Sequence, residues 1–197
     1  MKFSEIQTTL KSKKIGIAGA GGLGSNCAAA LVRCGIGSLV IADFDLVEES
    51  NLNRQFYFSD QIGMAKVDAL KENLLRINPR LVVSSHIINL NPEFIAKIFK
   101  DVDILVEAFD RADQKEMLIE TAMEQWPERP LVVGSGMAGF GKTDSLSTKR
   151  YGELYICGDG KEEIGPENPP LAPRVGIVAH MQADIVLSIL MSKRITE

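Results

Sequence analysis

Cysteines are few in this sequence, and they are not spaced as a metal-binding or redox motif. The 197 residues include three cysteines, Cys27, Cys34 and Cys157, and no two of them form a Cys-x-x-Cys pair. A disulfide framework needs an even set of cysteines, and a tetrathiolate zinc site needs four thiolates. The sequence therefore predicts a reduced, cytoplasmic protein that holds no zinc within one chain.

Long uninterrupted apolar runs are also missing. The first ten residues mix charged and apolar side chains and lack the apolar core of a signal peptide. The longest apolar stretch, Ile177–Met191, is interrupted by His180, Gln182 and Asp184. These interruptions favour a buried amphipathic helix over a membrane span, so we expect no membrane partner.

The chain has no excess of positive charge. Its 22 basic and 26 acidic residues give a formal net charge of −4, which offers no general reason to expect a nucleic-acid partner. Hydrophobic residues make up 45% and charged residues 24% of the chain, as in ordinary globular proteins. The length fits a single compact domain over residues 1–197.

A strand, a glycine-rich turn, a helix and a second strand open the chain in that order. The β-branched run Lys14–Ala18 predicts the first strand, and Gly19–Gly24 forms the turn. Ser25–Cys34 reads as a helix, and Leu39–Ala42 reads as a strand that closes with Asp43. This order is typical of a nucleotide-binding βαβ unit.

The rest of the chain alternates helices and strands and predicts an α/β, Rossmann-like, mainly parallel sheet with helices on both faces and an antiparallel C-terminal extension. The expected helices are Ala65–Ile77, Pro92–Phe99, Arg111–Gln125 and about Arg174–Lys193. The expected parallel strands are Leu81–His86, Val102–Ala108 and Leu131–Val133, followed by antiparallel hairpin strands at Thr143–Thr148 and Glu153–Cys157.

The glycine turn predicts a phosphate site. Gly19, Gly21, Gly22 and Gly24 let the backbone approach phosphates at a helix N-terminus, where free N–H groups and the helix dipole favour anions. Asp43 ends the next strand, where an acid can accept hydrogen bonds from ribose hydroxyls. The alternative is a tight turn used only for packing, and the motif alone does not distinguish NAD from ATP.

Cations that follow the turn favour ATP. Asn51, Asn53, Arg54 and Gln55 come soon after Asp43, and Lys66 comes at the start of a helix, although both cations could also be solvated surface. A hydride-transfer enzyme has no general need of two cations beside the phosphates. A nucleotidyl-transfer enzyme neutralises the charge that builds on the departing pyrophosphate.

Asp110 follows a buried strand whose carboxyl end should face the same crevice. Mg²⁺ prefers one or two carboxylates together with phosphate oxygens and water, so Asp110 is a candidate magnesium ligand. The alternative is that its side chain caps the next helix.

Taken together, these motifs closely resemble the ThiF/MoeB family, the prokaryotic branch of the ubiquitin-activating-enzyme superfamily. The Asn-Leu-Asn-Arg-Gln block at this distance from the glycine turn is the most specific feature. The matching segments are Gly19–Gly24, Asp43–Asp45, Ser50–Gln55, Ala65–Lys66, Arg76–Pro79, Asp110, Pro173–Val178 and Gln182–Ala183.

The resemblance implies an ATP- and Mg²⁺-dependent enzyme that adenylates the C-terminal glycine of a small ubiquitin-like sulfur-carrier protein ending in Gly-Gly. It is closest to compact ThiF-like proteins of thiamine thiazole biosynthesis, and it implies a homodimer. Carried over to this sequence, Asn51, Arg54 and Gln55 would reach the phosphates, Lys66 would neutralise them and Asp110 would bind Mg²⁺. Catalysis would rest on Arg54, Lys66 and Asp110.

The cysteines of the sequence depart from the family pattern in two places. The paired zinc-binding cysteines of many relatives are missing, and the loop Glu162–Pro173 lacks the cysteine that many relatives carry before the last helix. A covalent cysteine step through Cys157 is therefore in doubt. The alternatives are adenylation of a tRNA-linked carboxylate, as in threonylcarbamoyladenosine dehydratases, an NAD-binding oxidoreductase, and a binding partner without catalysis.

Overall fold

The computed structural model describes residues 2–162 and 164–192 and places seven strands in one sheet. The strands are β1 (Lys14–Ala18), β2 (Ser38–Asp43), β3 (Val82–Ile87), β4 (Ile104–Glu107), β5 (Leu131–Gly134), β6 (Ser147–Tyr151) and β7 (Leu154–Gly158). The helices are α1 (Phe3–Leu10), α2 (Gly22–Cys34), α3 (Lys66–Ile77), α4 (Pro92–Ile98), α5 (Ala112–Gln125) and α6 (Ala172–Ser192). Short 3₁₀ turns lie at Glu49–Asn51, Ser59–Gln61 and Thr143–Ser145.

The sheet has the order β3-β2-β1-β4-β5-β7-β6. Neighbouring strands are parallel except for β6 and β7, which form an antiparallel pair. This confirms the expected Rossmann-like α/β fold with an antiparallel extension. Only β6 is reversed, because β7 returns from the hairpin to lie parallel to β5.

The central strands are apolar because helices cover both faces of the sheet. Along β2, Leu39 and Ile41 belong to one buried cluster and Val40 belongs to the other, as the alternation of side chains in a strand requires. The first cluster takes side chains from α2, α3 and α6, and the second takes them from α4 and α5. A parallel sheet covered in this way reads as near-continuous hydrophobic runs.

Helix α6 is the longest of the described helices, and its length and hydropathy alone would allow it to cross a membrane. In this fold one side of α6 packs into the first cluster, through Val178, Val186 and Leu190 among others, and its main helical neighbour is α2. The expected end of this helix at Lys193 lies outside the described residues.

The structure differs from the sequence-based prediction at α1, at the hairpin and at the start of α2. Helix α1 was not predicted, because its eight residues are mostly exposed and only Leu10 is buried. Thr143–Thr148 is not one strand but a 3₁₀ turn followed by the start of β6, which is exposed along its whole length. Helix α2 begins at Gly22 rather than Ser25, so the last glycines of the turn already belong to the helix.

Candidate functional site

A cavity of about 480 Å³ opens at the carboxyl ends of the central strands. Strand β1 lies between β2 and β4, so the connections that leave β1 and β4 diverge at this point of the sheet. Open α/β sheets bind ligands at such a switch point. The residues that line the cavity include Gly19, Gly21, Gly22, Asp43, Phe44, Asp45, Arg54, Gln55, Lys66, Asp110 and Arg111.

The glycine turn places the start of α2 against this cavity. Gly21 is the N-cap of α2, and no side chain accepts a hydrogen bond from the first turn of the helix. The leading N–H groups of a helix have no partner inside the helix, so this end can receive an anion. An added Cβ at Gly21 would meet only Gln55 Nε2, at 3.8 Å, which leaves the space above the turn open.

The other predicted glycines are needed for close packing. Gly19 has a φ of +98°, and a Cβ there would lie 2.7 Å from the carbonyl oxygen of Ala108. A Cβ on Gly24 would lie 1.9 Å from the carbonyl oxygen of Gly19. Gly24 does not line the cavity, and its part in the site is to bring α2 close to the turn.

Asp43 links the end of β2 to the glycine turn. Its carboxylate accepts the backbone N–H of Ala20 at 2.6 Å and that of Asp45 at 2.8 Å. Burial raises the pKa of Asp43, while these two hydrogen bonds and the charge of Lys66 act in the opposite direction. The side chain lines the cavity, where a carboxylate has further lone pairs for a ribose hydroxyl.

Lys66 lies at the first position of α3 and is only 6% exposed. Its Nζ lies 2.7 Å from Oδ2 of Asp45, whose side chain is about half exposed. A buried lysine needs a compensating anion, and in this structure Asp45 supplies it. Lys66 lines the cavity, where a phosphate oxygen would offer its ammonium group a second anionic partner.

Only part of the Asn-Leu-Asn-Arg-Gln segment reaches the cavity, and the rest forms hydrogen bonds within its own loop. Arg54 and Gln55 line the cavity, whereas Asn51 and Asn53 do not. Asn51 is buried, accepts the backbone N–H of Glu48 at 3.1 Å and accepts those of Arg54 and Gln55 on its carbonyl oxygen. Asn53 accepts a hydrogen bond from the Arg54 guanidinium at 2.8 Å. The asparagines thus shape the loop that presents Arg54.

Gln55 has one polar atom without a partner among the described residues. Its Oε1 is buried and receives no hydrogen bond, although the side chain lines the cavity. A buried polar atom without a partner is costly, and a bound ligand is one way of satisfying it.

Asp110 is exposed and faces the cavity from the segment between β4 and α5. The N-cap of α5 is Arg111, and no side chain caps this helix, so Asp110 does not act as its cap. No group of three or more metal-ligating side chains gathers anywhere in residues 2–162 and 164–192. A single carboxylate fits Mg²⁺, which takes most of its other ligands from phosphate and water.

Three residues near Asp110 in the fold, Glu107, Lys115 and Arg111, were not identified from the sequence. Glu107, at the end of β4, is completely buried and pairs with Lys115 on α5, with 2.5 Å between Oε2 and Nζ. Burial raises the pKa of Glu107, and the charge of Lys115 opposes that rise. Arg111 adds a third cation to the cavity lining. An acid at the end of an otherwise apolar strand was the available signal for Glu107.

A second buried ion pair joins the start of α6 to the loops beside the cavity. The side chains of Arg174 and Asp159 are each less than 5% exposed, and the guanidinium also donates to the carbonyl oxygen of Gly141 at 2.5 Å. Asp159 in turn accepts the backbone N–H groups of Lys161 and Glu162. The pair thereby ties together the loops that supply Met137, Ile164 and Pro170 to the lining of the cavity.

The cysteines lie away from the cavity lining. Cys157 is buried in β7, and burial raises its pKa to about 11 despite a hydrogen bond with Thr148. Burial also raises the pKa values of Cys27 and Cys34. All three thiols are therefore protonated at neutral pH, whereas nucleophilic cysteines act as thiolates.

Comparison with known proteins matches residues 3–197 of this chain to the ThiF family. The adenylyltransferase and sulfurtransferase UBA4 of Candida glabrata is 30% identical over 195 residues, which cover 94% of this chain and 44% of that protein. The chain thus spans less than half the length of this relative.

Solved structures give the same fold. The tRNA N6-threonylcarbamoyladenosine dehydratase TcdA of E. coli in complex with AMP has a TM-score of 0.88 at 20% identity, covering 98% of this chain and 92% of the other. The same enzyme in complex with ATP has a TM-score of 0.84 at 22% identity, covering 98% and 91%. At these identities the likeness establishes the fold.

Proposed function

The chain belongs to the ThiF family, and on that premise we propose that it adenylates the C-terminal glycine of a small ubiquitin-like sulfur-carrier protein. The carrier carboxylate attacks the α-phosphorus of ATP, pyrophosphate leaves and an acyl-adenylate forms. The proposed pathway is thiamine thiazole biosynthesis, and the proposed assembly is a homodimer in the cytoplasm. The relative named as an adenylyltransferase supports nucleotidyl transfer as the reaction class.

One observation carries the proposal: a single cavity brings together an uncapped helix N-terminus, cations and the acids Asp43 and Asp110. The N–H groups of α2 and the side chains of Arg54 and Lys66 would hold the phosphates. Asp43 would accept hydrogen bonds from the ribose, and its contact with Ala20 ties the ribose position to the phosphate turn. Asp110 would hold Mg²⁺, which would offset charge on the phosphates.

The role of these groups is positioning and electrostatics, with no covalent step on a side chain. In-line attack lengthens the bond from the α-phosphorus to the leaving pyrophosphate, so negative charge builds on the leaving oxygens. Fixed cations stabilise that charge without reorganisation at the moment of reaction. Protonated cysteines away from the cavity lining are consistent with a direct carboxylate attack.

Apolar side chains from two loops and α6 complete the lining, namely Met137, Ile164, Pro170 and Val175. A glycine-ended tail has no side chains to accommodate, so these apolar side chains would admit it more readily than a bulkier C-terminus. This selection by size would supplement recognition of the carrier's folded part.

The decisive experiment is ATP–pyrophosphate exchange in the presence of a carrier that ends in Gly-Gly. We expect exchange with the intact carrier and none with a carrier that lacks its last two glycines. Calorimetric titration should also show tighter binding of Mg·ATP than of NAD, since cations line the phosphate site. Tighter binding of NAD, or exchange driven by threonylcarbamoylated tRNA and not by the carrier, would overturn the proposal.

A further inference from the structure

The ion pair between Glu107 and Lys115 is difficult to explain by stability alone. Glu107 is fully buried, and the Lys115 side chain is one-fifth exposed. Taking two charges out of water is costly, and replacing such a pair with apolar side chains of similar volume is often neutral or stabilising. The arrangement of the pair around the neighbouring backbone suggests a different use.

Lys115 Nζ reaches three oxygens, which matches the three protons of an ammonium group. It donates to Glu107 Oε2 at 2.5 Å, to the carbonyl oxygen of Gly134 at 2.8 Å and to that of Phe109 at 3.4 Å. The other oxygen of the carboxylate, Glu107 Oε1, accepts the backbone N–H of Phe109 at 2.7 Å. Both backbone polar groups of Phe109 are therefore held by the pair.

This contact is important because the carbonyl group of Phe109 lies in the peptide plane that joins it to Asp110. The Asp110 carboxylate makes no hydrogen bond or ion pair with any part of the chain described here, and its side chain points into the cavity lining. Its position is set by its backbone alone. On the other side, the backbone N–H of Ala108 is fixed by the carbonyl oxygen of Ala18 at 2.9 Å.

From this geometry we propose that Glu107 and Lys115 are positioning residues that hold Asp110 where it binds the metal ion. This inference rests on the proposed function, which gives Asp110 its metal. The pair fixes the peptide before Asp110 and anchors it to β5 through Gly134, so that the carboxylate is preorganised for a cation in the cavity. Replacing a residue that orients a metal ligand commonly lowers the metal affinity by about 10- to 100-fold.

The test measures metal binding directly. Mn²⁺ is titrated by electron paramagnetic resonance into the protein with a non-hydrolysable ATP analogue, and calorimetry in EDTA gives the affinity for the analogue without metal. We expect Lys115→Met to weaken nucleotide-dependent Mn²⁺ binding about tenfold or more. Metal-free binding of the analogue should change by less than about twofold, because Lys115 does not line the cavity.

Paired substitutions separate positioning from folding. Glu107→Leu with Lys115→Met leaves no unpaired buried charge, so it should melt near the wild-type temperature and still bind Mn²⁺ weakly. Glu107→Gln with Lys115→Met keeps an acceptor for the Phe109 N–H and should recover part of the affinity. Lys97→Met, an exposed lysine on α4, is the matched control and should bind Mn²⁺ as the wild type does.

This design distinguishes failure of the positioning role from failure of the metal site itself. A Leu/Met double variant that folds and binds Mn²⁺ with wild-type affinity would overturn the positioning role, even if Lys115→Met alone fails to fold. Failure of the wild-type protein to bind Mn²⁺ with the nucleotide would instead remove the metal site from the proposed function.

Discussion

Replacing Gly24 with alanine tests how closely α2 must approach the glycine turn. The new Cβ would lie 1.9 Å from the carbonyl oxygen and 2.9 Å from the carbonyl carbon of Gly19, and 3.2 Å from Cβ of Ala108. The obstacle is backbone, which cannot rotate away as a flexible side chain can. Reaching even a 3.0 Å contact requires α2 to move by about 1.1 Å relative to the turn.

The cost of this movement exceeds the gain from alanine. Overpacking a close contact costs about 1–3 kcal/mol, and a backbone obstacle places this site at the upper end. Alanine in a helix interior is about 1 kcal/mol more favourable than glycine. The net loss is therefore about 2 kcal/mol, which lowers the melting temperature of a domain of this size by roughly 4–8 °C.

Thermal unfolding followed by circular dichroism measures this difference against two control variants. Gly176→Ala lies in α6 with nothing within 4 Å of the added Cβ, and at Gly21 the nearest atom is 3.8 Å away. Gly176→Ala should melt at or above the wild-type temperature, and Gly21→Ala should lose no more than about 1 kcal/mol with its N-cap position. A Gly24→Ala protein that melts like the wild type would refute the close approach of α2 and the turn.

Three further predictions concern charges and thiols. Lys66→Met should weaken Mg·ATP binding by about 10- to 100-fold in calorimetry, and an unchanged affinity would exclude a phosphate contact. Cys157, whose pKa burial raises to about 11, should react with a thiol reagent at pH 8 far more slowly in native than in urea-unfolded protein; equal rates would contradict its burial. Burial raises the pKa of Asp159, but hydrogen bonds from Glu162, Lys161 and Arg174 together bring it below its usual value. The stabilising contribution of Asp159 is therefore present above its unfolded-state pKa and is lost as the pH falls through its folded-state value. Asp159→Asn should flatten the acid side of the profile of unfolding free energy against pH. A variant with the wild-type slope would count against the ion pair.

Local patterns were sufficient to predict most of the sheet. The apolar runs of β1, β2 and β4 reflect burial on both faces, and the glycine turn between β1 and α2 has a local cause in backbone geometry. Helix α1 and strand β6 left weak signals because most of their residues are exposed. Their positions depend on tertiary contacts, which residue patterns along a single segment do not record.

Most of the candidate site could likewise be predicted from the sequence. Asp43, Arg54, Lys66 and Asp110 all line one cavity because topology brings the carboxyl ends of β1, β2 and β4 together. The part of Asn51 in shaping its loop could not be predicted, because hydrogen bonds to the local backbone leave no distinct spacing.

The buried ion pairs were not predictable from local sequence. Glu107 and Lys115 belong to a strand and the following helix, while Asp159 and Arg174 meet across a proline-rich loop. Each pair becomes visible only after the sheet and its covering helices are assembled.

The packing of α2 against α6 has a consequence for synthesis of the chain on the ribosome. Helix α2, which carries the glycine turn, is covered mainly by α6, and about 140 residues separate the end of one from the start of the other. At translation rates of about 5–20 residues per second, roughly 7–28 s pass between synthesis of α2 and synthesis of the helix that covers its apolar side. During that interval the nascent chain presents an uncovered hydrophobic surface to chaperones, and its glycine turn is synthesised long before the packing that holds it in place.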